Sequence, residues 1–211
     1  GARYGPEERR RESGWYARSD GGFNAATGRR VDFDGVTIRD CGDAPIVTTD
    51  VEATGEGIRE TVRGVAETGF PVVLGGDHYL TYPSFCGVAE ARGERLGMIH
   101  LDAHSDVYGS WDLHGEHWHG SPMNLIDDTD YGGYDTHSMV GLRAVEAPEF
   151  PEFGGIDATQ LLRAMERLGE CDAICAVDLV EVAPRLDPSR TTQRLGAAAL
   201  SRFLEAKFGR Q

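Results

Sequence analysis

Apolar positions along the chain follow two rhythms. The first is a set of short, nearly unbroken apolar runs at residues 71–74, 96–99, 138–142 and 173–177. Such runs are the pattern of strands buried on both faces of a parallel sheet. The second is a helical stripe between the runs. Ile58, Val62, Val65 and Ala66 share one helical face, which predicts a helix over 51–68 capped by Thr48 or Thr49 and ended by Gly69. Leu161, Leu162, Met165 and Leu168 form another stripe. Its helix begins at Asp157, where Asp157 and Gln160 make a capping box. Pro6, Glu7 and Glu8 start a helix over 6–16, with proline and acids at the positive end of the dipole. Further helices are predicted over 82–92 and 191–207, and the alternation of Val36 to Cys41 predicts a short strand. Residues 19–35 and 108–133 read as loop. Strands alternating with helices through short links give an α/β fold with a mostly parallel sheet and right-handed crossovers.

Polar clusters follow three of the apolar runs: Asp77 and His78, then Asp102, His104 and Asp106, then Asp178 and Glu181. Ligands of open α/β sheets bind at the carboxyl ends of the strands, where these clusters fall. Within the second cluster the residues are two apart, so on an extended chain they point the same way. Two carboxylates brought together are costly unless a cation offsets them. Carboxylate oxygens with an imidazole and no thiolate favour a fairly hard divalent metal, for which Mn²⁺ is a good candidate. An acidic strand-to-loop corner with a solvated histidine is the other reading of these six residues. Gly75 and Gly76 are expected to turn the backbone sharply and bring His78 back toward the neighbouring strand end.

Charge narrows the partners. The chain carries 35 acids against 21 bases, a net charge of −14. Nucleic acid and anionic membranes both need a basic surface, so neither is expected as a partner. A small cationic substrate is favoured instead. Cys41, Cys86, Cys171 and Cys175 are scattered with no CxxC pair, which fits buried reduced thiols and a cytoplasmic location. No signal peptide and no apolar run of bilayer-spanning length is seen. At 211 residues the chain suits one domain, 1–211.

Five segments, in order, resemble the ureohydrolase family of arginases, agmatinases and guanidinobutyrases. Gly1-Ala2-Arg3-Tyr4-Gly5-Pro6 resembles the family's GARFGP segment. Leu74-Gly75-Gly76-Asp77-His78 resembles LGGDHS, with Tyr79 where serine is usual. Leu101 to Asp106 resembles DAHxD, His119-Gly120-Ser121-Pro122 resembles HGxP, and Val177 to Pro184 resembles DxVEVxP. The resemblance implies an arginase-like three-layer α/β/α fold and two Mn²⁺ ions per chain. It implies hydrolysis of a guanidinium group to urea and an amine, with agmatine preferred among linear guanidino substrates. His78 would ligate one metal and His104 the other, with Asp102 and Asp106 as further ligands, at least one of them bridging. His119 would move a proton or assist the leaving group. Glu181 would accept two parallel N–H bonds from the planar guanidinium fork. Asp106, His119 and Glu181 are thus the expected catalytic residues. By resemblance the protein is a homo-oligomer, a trimer or hexamer.

One family motif is absent. The strand carrying SxDxDxxDP, which supplies two more aspartate ligands, has no counterpart, and the regions that should flank it abut near 147–152. A first strand ahead of Gly1 is also lacking. Either the chain belongs to a longer protein without its N-terminal and middle pieces, or it is a shortened relative. The first is favoured, because losing a central strand would expose unpaired backbone. A truly shortened chain would bind metal weakly or singly and act as a catalytically impaired structural or regulatory subunit.

Overall fold

The computed structural model describes residues 2–13, 22–24, 29–31, 33, 35–110, 113–144 and 154–209. The abutment near 147–152 lies outside them. The helices are α1 (Gly5–Ser13), α2 (Val51–Ala66), α3 (Thr81–Arg92), α4 (Pro122–Asp127), α5 (Ala158–Gly169) and α6 (Thr191–Phe208). The strands are β1 (Gly22–Asn24), β2 (Arg29–Val31), β3 (Val72–Leu74), β4 (Met98–Leu101), β5 (His137–Val140) and β6 (Val177–Leu179). They form two compact units. No helix among the described residues is long and apolar enough to cross a membrane.

The first unit comprises Gly1–Gly42, Leu74–Gly76 and Asp157–Gln211. Its core is α6, which packs against α1 and α5. Ala197, Ala199, Leu200 and Phe203 are its buried apolar side chains, with Gln193 and Gly196 buried beside them. At the crossing with α5, a Cβ on Gly169 would lie 2.4 Å from the Phe203 carbonyl oxygen, so glycine sets the approach of the two helices. The capping box at Asp157 forms as the sequence predicts, with each partner donating a backbone N–H to the other's side chain at 2.9 Å.

Arg9, 1% exposed, is the most deeply buried charge of this unit. Its Nη1 donates to Gly75 O at 3.0 Å and also to Leu179 O, while Nη2 lies 3.4 Å from Val180 O. The guanidinium thereby ties together two chain segments that run out toward polar clusters. Burial lowers its pKa to about 10, against the opposing pull of the Asp178 and Glu181 carboxylates. Gly75 N–H donates to Leu179 O and Glu181 N–H donates to Gly76 O, both at 2.9 Å. The expected turn forms, as a bend at Gly76 and Asp77 directly after β3, but it needs no left-handed glycine. Neither Gly75 nor Gly76 is among the positive-φ residues; they serve here as backbone hydrogen-bonding partners.

The second unit comprises Asp43–Val73 and Asp77–Ile156. α2 lies against α3, where a Cβ on Gly87 would meet Arg59 O at 2.5 Å. Asp50, not Thr48 or Thr49, caps α2 by accepting the Ala53 N–H at 2.9 Å. β4 and β5 pair in parallel, from Met98 opposite His137 to Leu101 opposite Val140. The pairing outlasts both strands: Asp102 N–H donates to Val140 O and Arg143 N–H to Ala103 O. The chain then bends at Ala103 and forms a bridge between His104 and Ala144.

Several local expectations fail for identifiable reasons. Val36 to Cys41 form no strand. Ile38 is 62% exposed, and Asp40 accepts the Gly42 N–H, so a local side-chain bond replaces a ladder. Residues 173–176 are not strand either; a turn closed by the Ile174 N–H to Cys171 O bond covers 172–173, and the strand begins only at Val177. The region read as loop at 19–35 holds the antiparallel pair β1–β2, and the one at 108–133 holds α4. Cys41 and Cys171 are exposed rather than buried.

Candidate metal centre

Asp77 begins the local structure that presents His78. Its carboxylate accepts the Tyr79 N–H at 3.0 Å and so starts the single helical turn His78–Leu80. The imidazole of His78 is almost fully buried, and its Nδ1 lies 2.7 Å from Asp106 Oδ2 and 3.8 Å from Asp102 Oδ2. Asp106 is one of three described non-glycine residues with positive φ, here 50°. An aspartate held in the left-handed region marks a site where the surroundings over-determine the backbone. The Asp106 carbonyl is fixed as well, accepting the Met123 N–H at the start of α4.

A fourth donor joins these three. His100, buried within β4, brings Nε2 to 3.4 Å from Asp102 Oδ2 and 3.8 Å from Asp106 Oδ2. One ligand atom from each of His78, His100, Asp102 and Asp106 lies within 4.8 Å of all the others. The sequence reading overlooked His100, although the two-residue alternation of Asp102, His104 and Asp106 extends back to it. His104 sits beside the set. Its N–H donates to Asp102 Oδ1 at 2.9 Å, its Nδ1 is 3.5 Å from that oxygen, and its side chain is 31% exposed.

Two imidazoles and two carboxylates suit a hard-to-borderline divalent cation. Neither ring nitrogen of His100 makes a hydrogen bond. Buried polar atoms are normally paired, so these atoms fit a role as metal donors. Burial would raise the Asp102 carboxyl, but the His100 imidazole, the His104 N–H and His78 outweigh it and hold it at about 2. Asp102 is thus an anion at neutral pH, as a metal ligand must be.

His137 on β5 stacks against His100, with centroids 5.4 Å apart. Burial pushes His137 down to about 4, and His100 and His78 act in the same sense. Its folded pKa is below the ordinary value of 6.5, so between these two pH values the unfolded chain binds the extra proton. Stability is present above pH 6.5 and is lost as pH falls toward 4. His137→Phe is expected to shrink this loss. Thermal unfolding of metal-free protein across that window checks it, and parallel curves for the variant and the parent would refute the assignment.

The expected proton carrier, His119, is half exposed, and its Nδ1 is 3.5 Å from Asp77 Oδ2. The loop behind it is firmly held. Ser121 Oγ donates to Trp118 O at 2.9 Å, Tyr108 N–H donates to Gly120 O, and Pro122 opens α4. A Cβ on Gly120 would collide with the Trp118 ring at 2.5 Å, so His119-Gly120-Ser121-Pro122 admits only glycine at its second place. Glu181, in the first unit, is exposed and has φ 58°.

A family model described as the arginase family matches residues 1–150 and 149–205. The mitochondrial agmatinase of Gallus gallus is 29% identical over 267 aligned positions, covering 97% of this chain and 75% of its own length. That alignment is longer than the present chain, so the relative carries sequence with no counterpart here. The proclavaminate amidinohydrolase of Streptomyces clavuligerus is 31% identical, covering 93% of this chain and 66% of its own. The crystal structure of formimidoylglutamase from Bacillus subtilis superposes with a TM-score of 0.81 at 20% identity, over 98% of this chain and 81% of that one. The fold is therefore the α/β arginase fold, in a chain shorter than its relatives.

Proposed function

The chain belongs to the arginase family, and from that premise we propose a manganese-dependent hydrolysis of the guanidinium group of agmatine or a related linear guanidino compound, giving urea and an amine. The convergence of His78, His100, Asp102 and Asp106 carries the reading. These residues, with His104 alongside, would hold the cation. When bound, such an ion supplies Lewis acidity and lowers the pKa of water toward neutrality.

The remaining work belongs to the chain's own side chains. Glu181 accepts parallel N–H bonds from the guanidinium fork and fixes its plane. Its backbone N–H donates to Gly76 O. His119, exposed and beside Asp77, carries a proton to the departing amine. The acidic balance of the chain, −14, favours approach of a cationic substrate. Agmatine is preferred to arginine because the loop at His119 to Pro122 and its surroundings look more agmatinase-like. Guanidinobutyrate and arginine are the next candidates. The protein is expected to act in the cytoplasm as a homo-oligomer, a trimer or hexamer.

A second reading rests on one observation. The two aspartates of the SxDxDxxDP motif, needed for a binuclear centre, are not in this sequence. Without them the chain would be a catalytically impaired structural or regulatory subunit. Urea release from agmatine, guanidinobutyrate and arginine by manganese-loaded protein, run with an intact mass, separates the two. Urea from at least one substrate is expected, and Glu181→Ala is expected to abolish it while manganese stays bound. A mass above 23.0 kDa would show that the functioning protein includes further sequence. Bound manganese with no urea from any of the three would favour the subunit.

A further inference from the structure

We infer that Tyr79, which stands where the LGGDHS motif has serine, is a positioning residue for His119: its ring packs on His117 and so seats the loop that carries His119 beside Asp77. The inference rests on the proposed role of His119 as proton carrier and goes beyond it, since neither the motifs nor the comparisons give Tyr79 or His117 a role.

Three observations carry it, all within the second unit. First, α2 is shaped to admit the tyrosine. Tyr79 is 6% exposed, and a Cβ on Gly55 would lie 2.7 Å from its hydroxyl oxygen. Glycine at that turn of α2 leaves room for the whole phenol. Second, the ring meets the loop. Tyr79 and His117 make an edge-to-face contact with centroids 5.5 Å apart. His117 Nδ1 is buried without a hydrogen bond, and its Nε2 is 3.7 Å from Glu52 Oε1. An imidazole with so few polar partners is held chiefly by what packs against it, here the Tyr79 ring and the start of α2. Third, His119 is tied to the same turn of chain. Asp77 accepts the Tyr79 N–H with Oδ1 at 3.0 Å and brings Oδ2 to 3.5 Å from His119 Nδ1. The turn thus grips the loop at two places, the Tyr79 ring at His117 and the Asp77 carboxylate at His119.

What joins these two places is firmly held. Trp118 lies between them and is 8% exposed. Its backbone N–H donates to Ser121 Oγ and its Nε1 to Gly109 O, both at 3.2 Å. Its ring meets His119 edge-on at 5.2 Å. Close-packed side chains transmit a shift instead of absorbing it, so a displacement at His117 reaches His119. A serine at 79 would keep the backbone bond to Asp77, and the turn presenting His78 would still form. It is too short to reach either Gly55 or His117.

The test compares the full chain with its Tyr79→Ser and Tyr79→Phe variants. Urea release by the manganese-loaded proteins is measured on whichever of agmatine, guanidinobutyrate and arginine the parent hydrolyses. Histidine ring resonances are recorded on the metal-free proteins. Tyr79→Ser should lower kcat about 10–100-fold, with little change in KM or bound manganese. Tyr79→Phe keeps the ring and should stay close to the parent. In a His119→Ala background, Tyr79→Ser should slow turnover no further, because both changes then remove the same contribution. The His117 and His119 resonances should both move in Tyr79→Ser and return in Tyr79→Phe. Gly55→Ala is the second route should the serine variant fold poorly: its methyl displaces the hydroxyl, so kcat should fall, and adding Tyr79→Phe should restore it. Unmoved His119 resonances in Tyr79→Ser would overturn the inference. So would a Tyr79→Ser change that slows the His119→Ala protein as much as it slows the parent. A parent that releases no urea would overturn the proton-carrier reading beneath it, and the resonances would still decide whether Tyr79 seats the loop.

Discussion

Asp102→Asn should strip the protein of manganese and of hydrolysis together. Asp102 is the one side chain of the cluster that faces three imidazoles: Oδ2 is 3.4 Å from His100 and 3.8 Å from His78, and Oδ1 is 3.5 Å from His104. Whichever histidines ligate, Asp102 is the anion between them. An amide is nearly the same shape and still accepts the His104 N–H, so the fold around it is kept. What disappears is the charge that offsets a cation in a half-buried site. Loss of residues that merely support a metal ligand typically costs 10–100-fold in affinity, so loss of this carboxylate should exceed about 100-fold. Removing several kcal/mol of Lewis-acid assistance should slow urea release by at least about 10³-fold. The pairing with Glu181→Ala gives the experiment its force, because that variant should lose turnover and retain metal. An Asp102→Asn protein that binds manganese as tightly as the parent would place the metal somewhere else.

The sequence revealed the site unevenly. The alternation of Asp102, His104 and Asp106 points to a polar face at a strand end; in the structure β4 ends at Leu101, the chain bends at Ala103, and His104 sits beside the cluster rather than in it. Yet alternation says only which side chains share a face. It does not say where along the face they converge. That was set by local backbone conformation that alternation does not encode, the positive φ of Asp106 and the helical turn that Asp77 starts at His78, and by the tertiary approach that puts His78 Nδ1 2.7 Å from Asp106 Oδ2. His100 was hidden because it lies inside an apolar strand, where a histidine passes for part of the core. Its own alternation with Asp102 was the available signal. Helices with strong local patterns, such as α5 with its capping box, were read almost to the residue. Val36 to Cys41 shows the converse. Alternation there found no partner strand, and local hydrogen bonds prevailed.

Arg9→Leu is the substitution expected to damage the fold most. Arg9, Arg10 and Arg11 are consecutive on α1. The structure separates them. Arg11 pairs with Glu8 on the surface at 3.0 Å, an arrangement with little bearing on stability. Arg9 is buried and donates to backbone carbonyls of Gly75, Leu179 and Val180. Its burial costs enough to pull its pKa down to about 10, and the donated bonds offset that cost. Leucine would fill much of the volume and remove every donor, taking the guanidinium bonds from Gly75 O and Val180 O and leaving Leu179 O with the Gly75 N–H alone. Each such loss costs about 1–3 kcal/mol, so a total near 3–5 kcal/mol is expected, a large share of a typical domain's stability. For a chain of this size that is a fall in melting temperature on the order of 10 °C. Arg9→Lys, with one compact donor group in place of the fork, should fall between. The same substitution has a functional side. Leu179 and Val180 lead into Glu181, whose N–H is tied to Gly76 O beside the Arg9 contact at Gly75. Loosening that join should raise KM more than it lowers kcat, since the role proposed for Glu181 is to hold the guanidinium rather than to activate water. Bound manganese should be unchanged, because the residues proposed to hold it lie in the other unit. Melting curves of the Arg9→Leu protein within about 1 kcal/mol of the parent would show that those carbonyls find other partners, and the central place given to Arg9 would be wrong.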